Sequence, residues 1–425
     1  MSLKCQKDSY LKEFQTRVKS CTPAKKTLLV EGKKTSVEGY NIILEDSILF
    51  PEGGGQPDDR GTINDIPVLS ISRSGEDAVH FTKTEISVGS EVTLQLDWDR
   101  RFEFMQQHTA QHLITAMADH KFGFQTTSWD IGTDIVTIEL DTPSITTEQL
   151  RNIEDSANES LRNNVSVGPS FYQDKDDPEL KKFRGLGLPD DHVGVVRVLT
   201  IEGIDNALCC GTHVSNLSHI QAIKILGAEK GKKSKMNLLF LAGVRLLRYS
   251  ANTYSREKTL TGVLKGPGEK HCELAEKAVK SFKTLQKTCT TQSREIATLE
   301  AQLYKQAQDK DTVFVKHRKD GDNDYVTVLI AELADENLPK LVTTGDDKDG
   351  GMFVLAGPQI LIQELGPKIC EVFHGKGAPS KGLFRGKAPK PESQRGKAES
   401  LLREYVANQD QRQGENGQGD SSRQS

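Results

Sequence analysis

The pattern of apolar positions in the first 95 residues predicts closely spaced strands. Short apolar runs recur there, and Gly, Pro and Asn/Asp turns separate them. Such spacing is typical of a small β-barrel or a sandwich. We therefore assign residues 1–95 to an N-terminal small β-barrel, whose strands are TLLVEG, YNIILEDSILF, IPVLSIS and SEVTLQLDW.

Residues 96–250 mix helices with strands. Apolar residues repeat at helical spacing over 97–121 and predict a first helix there. A strand, DIVTIELD, and a second helix follow, and Thr146 or Thr147 can cap this second helix. Separate strands and helices of this kind indicate an α+β domain with an antiparallel sheet.

The C-terminal part combines a long helix with a second mixed domain. Residues 251–310 predict one long helix or a helical hairpin, with a weak heptad that fits a coiled-coil seam. Residues 311–407 predict an α/β domain, in which DYVTVLIAEL is strand-like and GKGAPSKGLFRGKA is a Gly/Lys loop. The Gln/Gly/Ser/Asp-rich tail, 408–425, is predicted to be disordered.

Composition narrows the class of protein. The 425 residues contain no run of eighteen apolar residues, so we expect no membrane span. The first twenty residues are charged throughout, unlike a signal peptide. Seven cysteines without regular spacing argue against a secreted disulfide framework. These features together predict a cytoplasmic protein.

Charge is unevenly distributed along the chain. The net charge of −4 argues against a general nucleic-acid coat. Segments 224–248 and 376–397 nevertheless each hold seven basic residues and one acidic residue, a local net charge of +6 (seven minus one). They could neutralise RNA phosphates or form ordinary solvated surface. The candidate tRNA contacts in these segments are Lys230, Lys232, Lys233, Lys235, Lys376, Lys381 and Arg385.

Two short motifs predict a metal site. His108 and His112 are four residues apart in a predicted helix, so both imidazoles can reach one ion. Cys209 and His213 have the same spacing around a glycine. Three histidines and one cysteine make a complete tetrahedral set for zinc. We therefore predict one Zn²⁺ per chain, held by these four residues.

The motifs exclude two familiar zinc enzymes. A zincin protease needs a glutamate directly after the first histidine, where this chain has Thr109. A zinc deaminase needs a CxxC pair, which the sequence lacks. Four protein ligands are typical of a structural site. A hydrolase would need the substrate to displace one ligand, or zinc to orient the substrate while other groups activate water.

The residues around both motifs resemble a known family. MQQHTAQHLITA and CCGTHV resemble the HxxxH and CxxxH pair of alanyl- and threonyl-tRNA synthetase editing domains, and LFPEGGGQPDDRG resembles the glycine-rich motif of the free-standing alanyl-tRNA editing (AlaX) proteins. The resemblance covers about residues 25–250. The remainder looks more loosely like the C-terminal domain of alanyl-tRNA synthetase. Cys210 stands where the family commonly has glycine.

The resemblance implies a trans-editing hydrolase whose partner is mischarged tRNA. Its zinc ligands would be the four residues above, and its substrate the ester of serine, or glycine, with alanine tRNA. An apolar alanine-binding site cannot strongly reject serine, which adds only a hydroxyl. A second site that hydrogen-bonds this hydroxyl can distinguish serine from alanine. The candidate substrate contacts are Gly53, Gly54, Gly55, Gln56, Thr109, Gln125, Thr127 and Ser128.

Other interpretations stay open from the sequence. Gly53–Gly55 could be a simple turn between strands, since no GK[ST] of a P-loop follows. The chain could also be a non-catalytic, zinc-stabilised RNA- or protein-binding module. A synthetase is disfavoured because no adenylation signature is present, so we expect no ATP requirement. The C-terminal region could bind RNA or form a homodimer.

Overall fold

A computed structural model describes most of the chain, which divides into two compact units, Met1–Thr259 and Leu260–Ser425. The predicted boundary near residue 250 falls inside one helix, Gly243–Leu264, which carries the chain from the first unit to the second. No helix among the described residues has the length and apolar character needed to cross a bilayer. The described residues are 3–30, 32–173, 176–185 and 195–418.

The first unit opens with a short helix and an antiparallel sheet. These elements are α1 (Lys4–Lys7), β1 (Glu13–Val30), β2 (Lys33–Leu44), β3 (Gly61–Ile63), β4 (Ile66–Val68), β5 (Ser70–Ser74), β6 (Asp77–Thr82) and β7 (Glu91–Leu96). The strand order is β4-β3-β7-β1-β2-β6-β5. The long strand β1 pairs first with β7 and then with β2, with an irregular register between Val18 and Ser20.

The strand order does not confirm the predicted closed barrel. The edge strands β4 and β5 exchange no ladder hydrogen bonds within the described part of the chain. Only Leu69 separates the two strands. The chain therefore passes directly from β4, which pairs with β3, to β5, which pairs with β6, and the Leu69 N–H donates to the Phe81 carbonyl of β6. One face of the sheet packs a core that includes Ile42, Leu49, Phe50 and Leu94.

The rest of the first unit packs a long helix against two further antiparallel sheets. Their elements are α2 (Trp98–Phe122), β8 (Thr126–Asp130), β9 (Val136–Leu140), α3 (Thr147–Arg162), β10 (Val167–Tyr172), β11 (Val196–Ile201), β12 (Asp205–Leu208), β13 (Ile223–Lys230), β14 (Met236–Ala242) and α4 (Gly243–Leu264). The sheets have the orders β13-β14-β9-β8 and β10-β11-β12. The antiparallel pairing confirms the α+β class predicted for this region.

Local sequence signals place the ends of these helices. The Asp97 side chain accepts a hydrogen bond from the Arg100 N–H at the start of α2, and Gly123 ends the helix with φ +67°. Thr146 and Gln149 form a capping box at the start of α3. Caps therefore define both ends of α2, and the middle turns of the helix are buried.

The second unit is a mixed sheet covered by helices. Its elements are α5 (His271–Gln306), β15 (Phe314–Arg318), α6 (Asn323–Glu332), β16 (Lys340–Asp346), β17 (Gly350–Ala356), α7 (Gln359–Val372), β18 (Lys376–Ser380), β19 (Leu383–Ala388) and α8 (Pro391–Gln418). The strand order is β15-β16-β17-β19-β18, in which only β15 and β16 run parallel among the described strands.

Three segments of this unit differ from the sequence-based expectation. DYVTVLIAEL forms helix α6 rather than a strand, because Asp322 caps the Tyr325 N–H and Tyr325, Val326 and Leu329 face the core at helical spacing. The predicted Gly/Lys loop is the hairpin β18–β19. Helix α8 runs into the segment predicted as disordered, of which 419–425 lie outside the described residues.

Candidate metal centre

The four predicted ligands come together in the first unit. His108 and His112 lie one turn apart on α2, with stacked rings whose centroids are 5.0 Å apart. The loop after β12 brings Cys209 and His213 to the same place, where one ligand atom of each residue lies within 4.8 Å of the others. Cys209, rather than the exposed Cys210, supplies the thiol.

The distances fit a tetrahedral metal. Cys209 Sγ lies 3.4 Å from His108 Nε2 and 3.3 Å from His213 Nε2. Zinc bonds of about 2.0 Å to nitrogen and about 2.3 Å to sulfur, at tetrahedral angles, place such atoms about 3.5 Å apart. The donor set and its spacing therefore suit Zn²⁺.

Burial sets the protonation of these ligands. It lowers the pKa of His108 to about 3 and holds the pKa values of His112 and His213 well below 6.5, so the three imidazoles are neutral. Burial also raises the pKa of the Cys209 thiol to about 11, against the opposing charge of Arg197. Neutral imidazole is the form that binds metal, and metal binding would release the thiol proton.

Two predicted substrate contacts, Gln56 and Thr109, lie beside the Nδ1 atoms of His108 and His213. Gln56 is fully buried, and its Oε1 accepts a hydrogen bond from His108 Nδ1 at 2.9 Å. The Gln56 Nε2 also donates to the Thr212 hydroxyl, and the Thr212 backbone N–H donates to Gln56 Oε1. The buried hydroxyl of Thr109 lies 3.3 Å from His213 Nδ1. Both contacts leave Nε2 free to face the centre, as metal-binding histidines require.

The N-terminal segment braces the Cys209 loop through contacts that the motif search missed. The buried Arg197 donates to the carbonyls of Gln6 and Cys209 at 3.0 and 2.6 Å. Gln6 donates to the Cys210 carbonyl at 2.9 Å. The signal available in the sequence for these contacts was Arg197, a lone arginine in the apolar run VRVLTI. A buried cation must be hydrogen-bonded by specific acceptors.

The glycine-rich segment is a tight turn beside the centre. Gly53 and Gln56 exchange two backbone hydrogen bonds, at 3.1 and 3.0 Å. Gly55 has φ +83°, and a Cβ there would lie 2.8 Å from the Trp129 ring. The Trp129 ring in turn lies 4.7 Å from the His108 ring. The glycine thus permits a close approach to Trp129, which covers one side of the ligand cluster.

Comparison with known proteins places the chain in a family. Residues 196–238 match the threonyl and alanyl tRNA synthetase second additional domain. Alanyl-tRNA editing protein Aarsd1-A of Xenopus laevis is 49% identical over 407 residues, 96% of this chain and 98% of that protein. The Mus musculus protein Aarsd1 is 49% identical over 410 residues, 96% of this chain and 99% of that protein. The chain belongs to the alanyl-tRNA editing protein family. Alanine–tRNA ligase of Pyrococcus abyssi is 25% identical over 93% of this chain and 43% of that protein.

The remaining polar residues predicted for an alanyl-tRNA editing pocket have partners elsewhere. Gln125 donates to Asp119 at the end of α2. The Thr127 hydroxyl donates to Glu139 at 2.5 Å, and Lys235 contacts both residues. Ser128 is exposed on β8. Gln125 and Thr127 thus contact two carboxylates, Asp119 on α2 and Glu139 on β9, and the structure does not bring these polar side chains into the ligand cluster.

The predicted tRNA contacts divide into free and engaged side chains. Lys230, Lys232 and Lys233 are exposed at the turn between β13 and β14, whereas Lys235 is paired with Glu139. In the second unit, Lys376 and Lys381 are exposed on the β18–β19 hairpin. Arg385 donates to Asn323 and Thr327 instead.

Proposed function

We propose that this chain is a zinc-dependent hydrolase that removes serine, or glycine, from mischarged alanine tRNA in trans. The observation that carries the proposal is the buried cluster of three neutral histidines and one cysteine with the spacing of a tetrahedral zinc site. The names of the relatives, alanyl-tRNA editing proteins, support the substrate class. No ATP is required for such an ester hydrolysis, and we propose the cytoplasm as its location.

The chain's own residues would prepare the site. Zinc held by the cluster would polarise an ester carbonyl or a water molecule. Gln56 and Thr109 fix the tautomers of His108 and His213, which keeps both rings in a ligating orientation. Trp129 covers the His108 side of the cluster and limits the access of bulk water from that direction.

The tRNA itself would bind through its backbone. The exposed Lys230, Lys232 and Lys233 in the first unit, and Lys376 and Lys381 in the second, can neutralise phosphates. None of these residues is placed to read bases by stacking, so we propose recognition of shape and backbone. Several apolar residues of α5 are exposed, among them Phe282 and Leu285. They support a second candidate role for the C-terminal region, namely homodimerisation.

The test is the release of serine from Ser-tRNA for alanine by purified protein, beside His108→Ala and Cys209→Ala. We expect rapid release by the natural protein and loss of release in both folded variants. Four protein ligands also favour the alternative, a non-catalytic RNA- or protein-binding module with structural zinc. Stable Ser-tRNA and stable Gly-tRNA in the presence of folded, zinc-loaded protein would support that alternative.

A further inference from the structure

Gln111 lies between the two histidines of α2 and has an unusual environment. The residue is 4% exposed. Its Nε2 donates to the Thr115 hydroxyl at 3.0 Å, and the Thr126 hydroxyl of β8 donates to the same oxygen, also at 3.0 Å. The Gln111 Oε1 atom is buried and has no partner among the described residues. The amide is therefore held in one orientation, with its acceptor unpaired.

An unpaired buried acceptor needs an explanation. Leaving such a group without a hydrogen bond destabilises the folded state, and folded proteins satisfy nearly all buried polar groups. Gln111 directly precedes the ligand His112 and lies on the same turn of α2 as His108. The Gln111 amide is held by Thr115, whose hydroxyl accepts a further bond from Thr126. An acceptor fixed in this way suits a donor that a bound substrate brings to the metal centre.

We propose that Gln111 accepts a hydrogen bond from the side-chain hydroxyl of the seryl group, and so determines the preference for serine. This inference rests on the proposed function. A neutral amide oxygen matches a neutral hydroxyl donor, whereas an ammonium group is usually met by a carboxylate. Between the two histidines the sequence pointed to Thr109 as a substrate contact, and Gln111 carried no motif signal of its own.

The test compares substrates that differ only in the hydroxymethyl group. Gln111→Met keeps the shape of the side chain but removes the acceptor. We expect it to lower kcat/KM for Ser-tRNA relative to Gly-tRNA, both on alanine tRNA, by about tenfold or more. Gln111→Glu keeps an acceptor oxygen and should retain the serine preference. Thr126→Val, which removes one of the two orienting hydroxyls, should give a smaller loss.

A binding measurement makes the test independent of turnover. Non-hydrolysable 3′-seryl- and 3′-glycyl-amino-adenosine report the same preference as a ratio of Kd values, measured by calorimetry. Gln95→Met, on an exposed position of β7, is the matched control and should change neither ratio. An unchanged ratio of Kd values in Gln111→Met, including equal losses of affinity for the seryl and glycyl compounds, would overturn the role of Gln111. If the natural protein hydrolyses neither ester, the proposed function fails, while the Kd ratio still decides this inference.

Discussion

At the scale of single residues, polar side chains orient two of the proposed metal ligands. Gln56 reaches His108 Nδ1 from the glycine-rich turn, 52 residues away in sequence. Thr109 reaches His213 from the other side of the cluster. Partners of this kind typically contribute 10–100-fold to metal affinity or activity, because they orient the ring and fix its tautomer.

Gln56→Leu should therefore weaken zinc binding about 10- to 100-fold. The substitution removes the acceptor for His108 Nδ1–H and leaves that donor buried. Competition against a chromophoric chelator measures the affinity, and the exposed Gln15→Leu serves as the control. Unchanged competition in Gln56→Leu would show that the hydrogen bond does not hold the ligand.

The sequence could predict which four residues come together in the cluster, but not these partners. Two i, i+4 pairs encode His108, His112, Cys209 and His213 directly, since helix and turn geometry bring each pair together. Whether Gln56 faces the substrate or the back of an imidazole depends on long-range packing, which no local pattern reports. The sequence predicted that Gln56 lies in the glycine-rich motif near the site, but not which group its side chain contacts.

At the scale of elements, the glycine-rich turn offers a matched pair of positions. Gly54 and Gly55 both have positive φ, at +58° and +83°, but only Gly55 faces the Trp129 ring. A left-handed conformation costs a non-glycine residue roughly 1–2 kcal/mol. An added methyl group at position 55 must also displace Trp129, which contacts the His108 ring.

Gly55→Ala should consequently lower stability and zinc affinity more than Gly54→Ala does. We expect Gly54→Ala to cost about 1–2 kcal/mol, the backbone term alone, and Gly55→Ala to cost at least about 1 kcal/mol more. Denaturant unfolding gives the free energies, and tryptophan fluorescence reports the displacement of Trp129. Equal effects at both positions would contradict the packing of the turn against Trp129.

His80, on β6, predicts how the first sheet responds to acid. Burial lowers its pKa to about 4, and Nδ1 and Nε2 contact the Ile42 carbonyl and the Ser47 hydroxyl. Because the folded state favours the neutral ring, the stabilisation is complete above about pH 6.5 and is lost progressively as pH falls from there to about 4. Between pH 7.5 and pH 5 we expect a loss of about 2 kcal/mol.

The free energy of urea unfolding at the two pH values measures this loss. His80→Gln removes the titrating group, so its stability should fall less over the same interval. The difference between the two proteins isolates His80 from the metal ligands, which are common to both. A parallel pH dependence in the two proteins would show that His80 is not held neutral.

Element types were predictable where capping and periodicity agreed, as in α2 and α3. They were not predictable where β-branched residues fill a short helix: α6 contains two valines and one threonine, yet Asp322 caps it and the core takes its apolar face. The arrangement of the first sheet was likewise hidden, because Leu69 is the whole connection between β4 and β5, which pair with different strands.

At the scale of the whole molecule, the chain carries a net negative charge with local basic surfaces. Lys376 and Lys381 are exposed on the β18–β19 hairpin. If both contact phosphates, Lys376→Glu with Lys381→Glu should weaken alanine tRNA binding and reduce the salt-dependence slope of log Kd by about two. Zinc affinity should stay unchanged, because the ligands lie in the other unit.

Binding isotherms over a range of salt concentrations measure that slope. Lys83→Glu with Lys121→Glu makes the same change of net charge at exposed positions outside both basic segments. A slope that falls equally in both double variants would assign the effect to net charge. A slope unchanged in the hairpin variant would exclude the hairpin from the tRNA contact.

The proposed function requires that the single metal centre formed by the four-residue cluster support hydrolysis. The measurement that tests it most directly is a zinc titration of chelator-treated protein, with serine release from Ser-tRNA as the rate and circular dichroism as the check on folding. We expect folded but inactive protein without metal, and a rate that rises linearly to a plateau at about one equivalent, since one cluster of four ligands binds one ion. Full activity in metal-free protein, or zinc-loaded and folded protein without activity, would contradict the account.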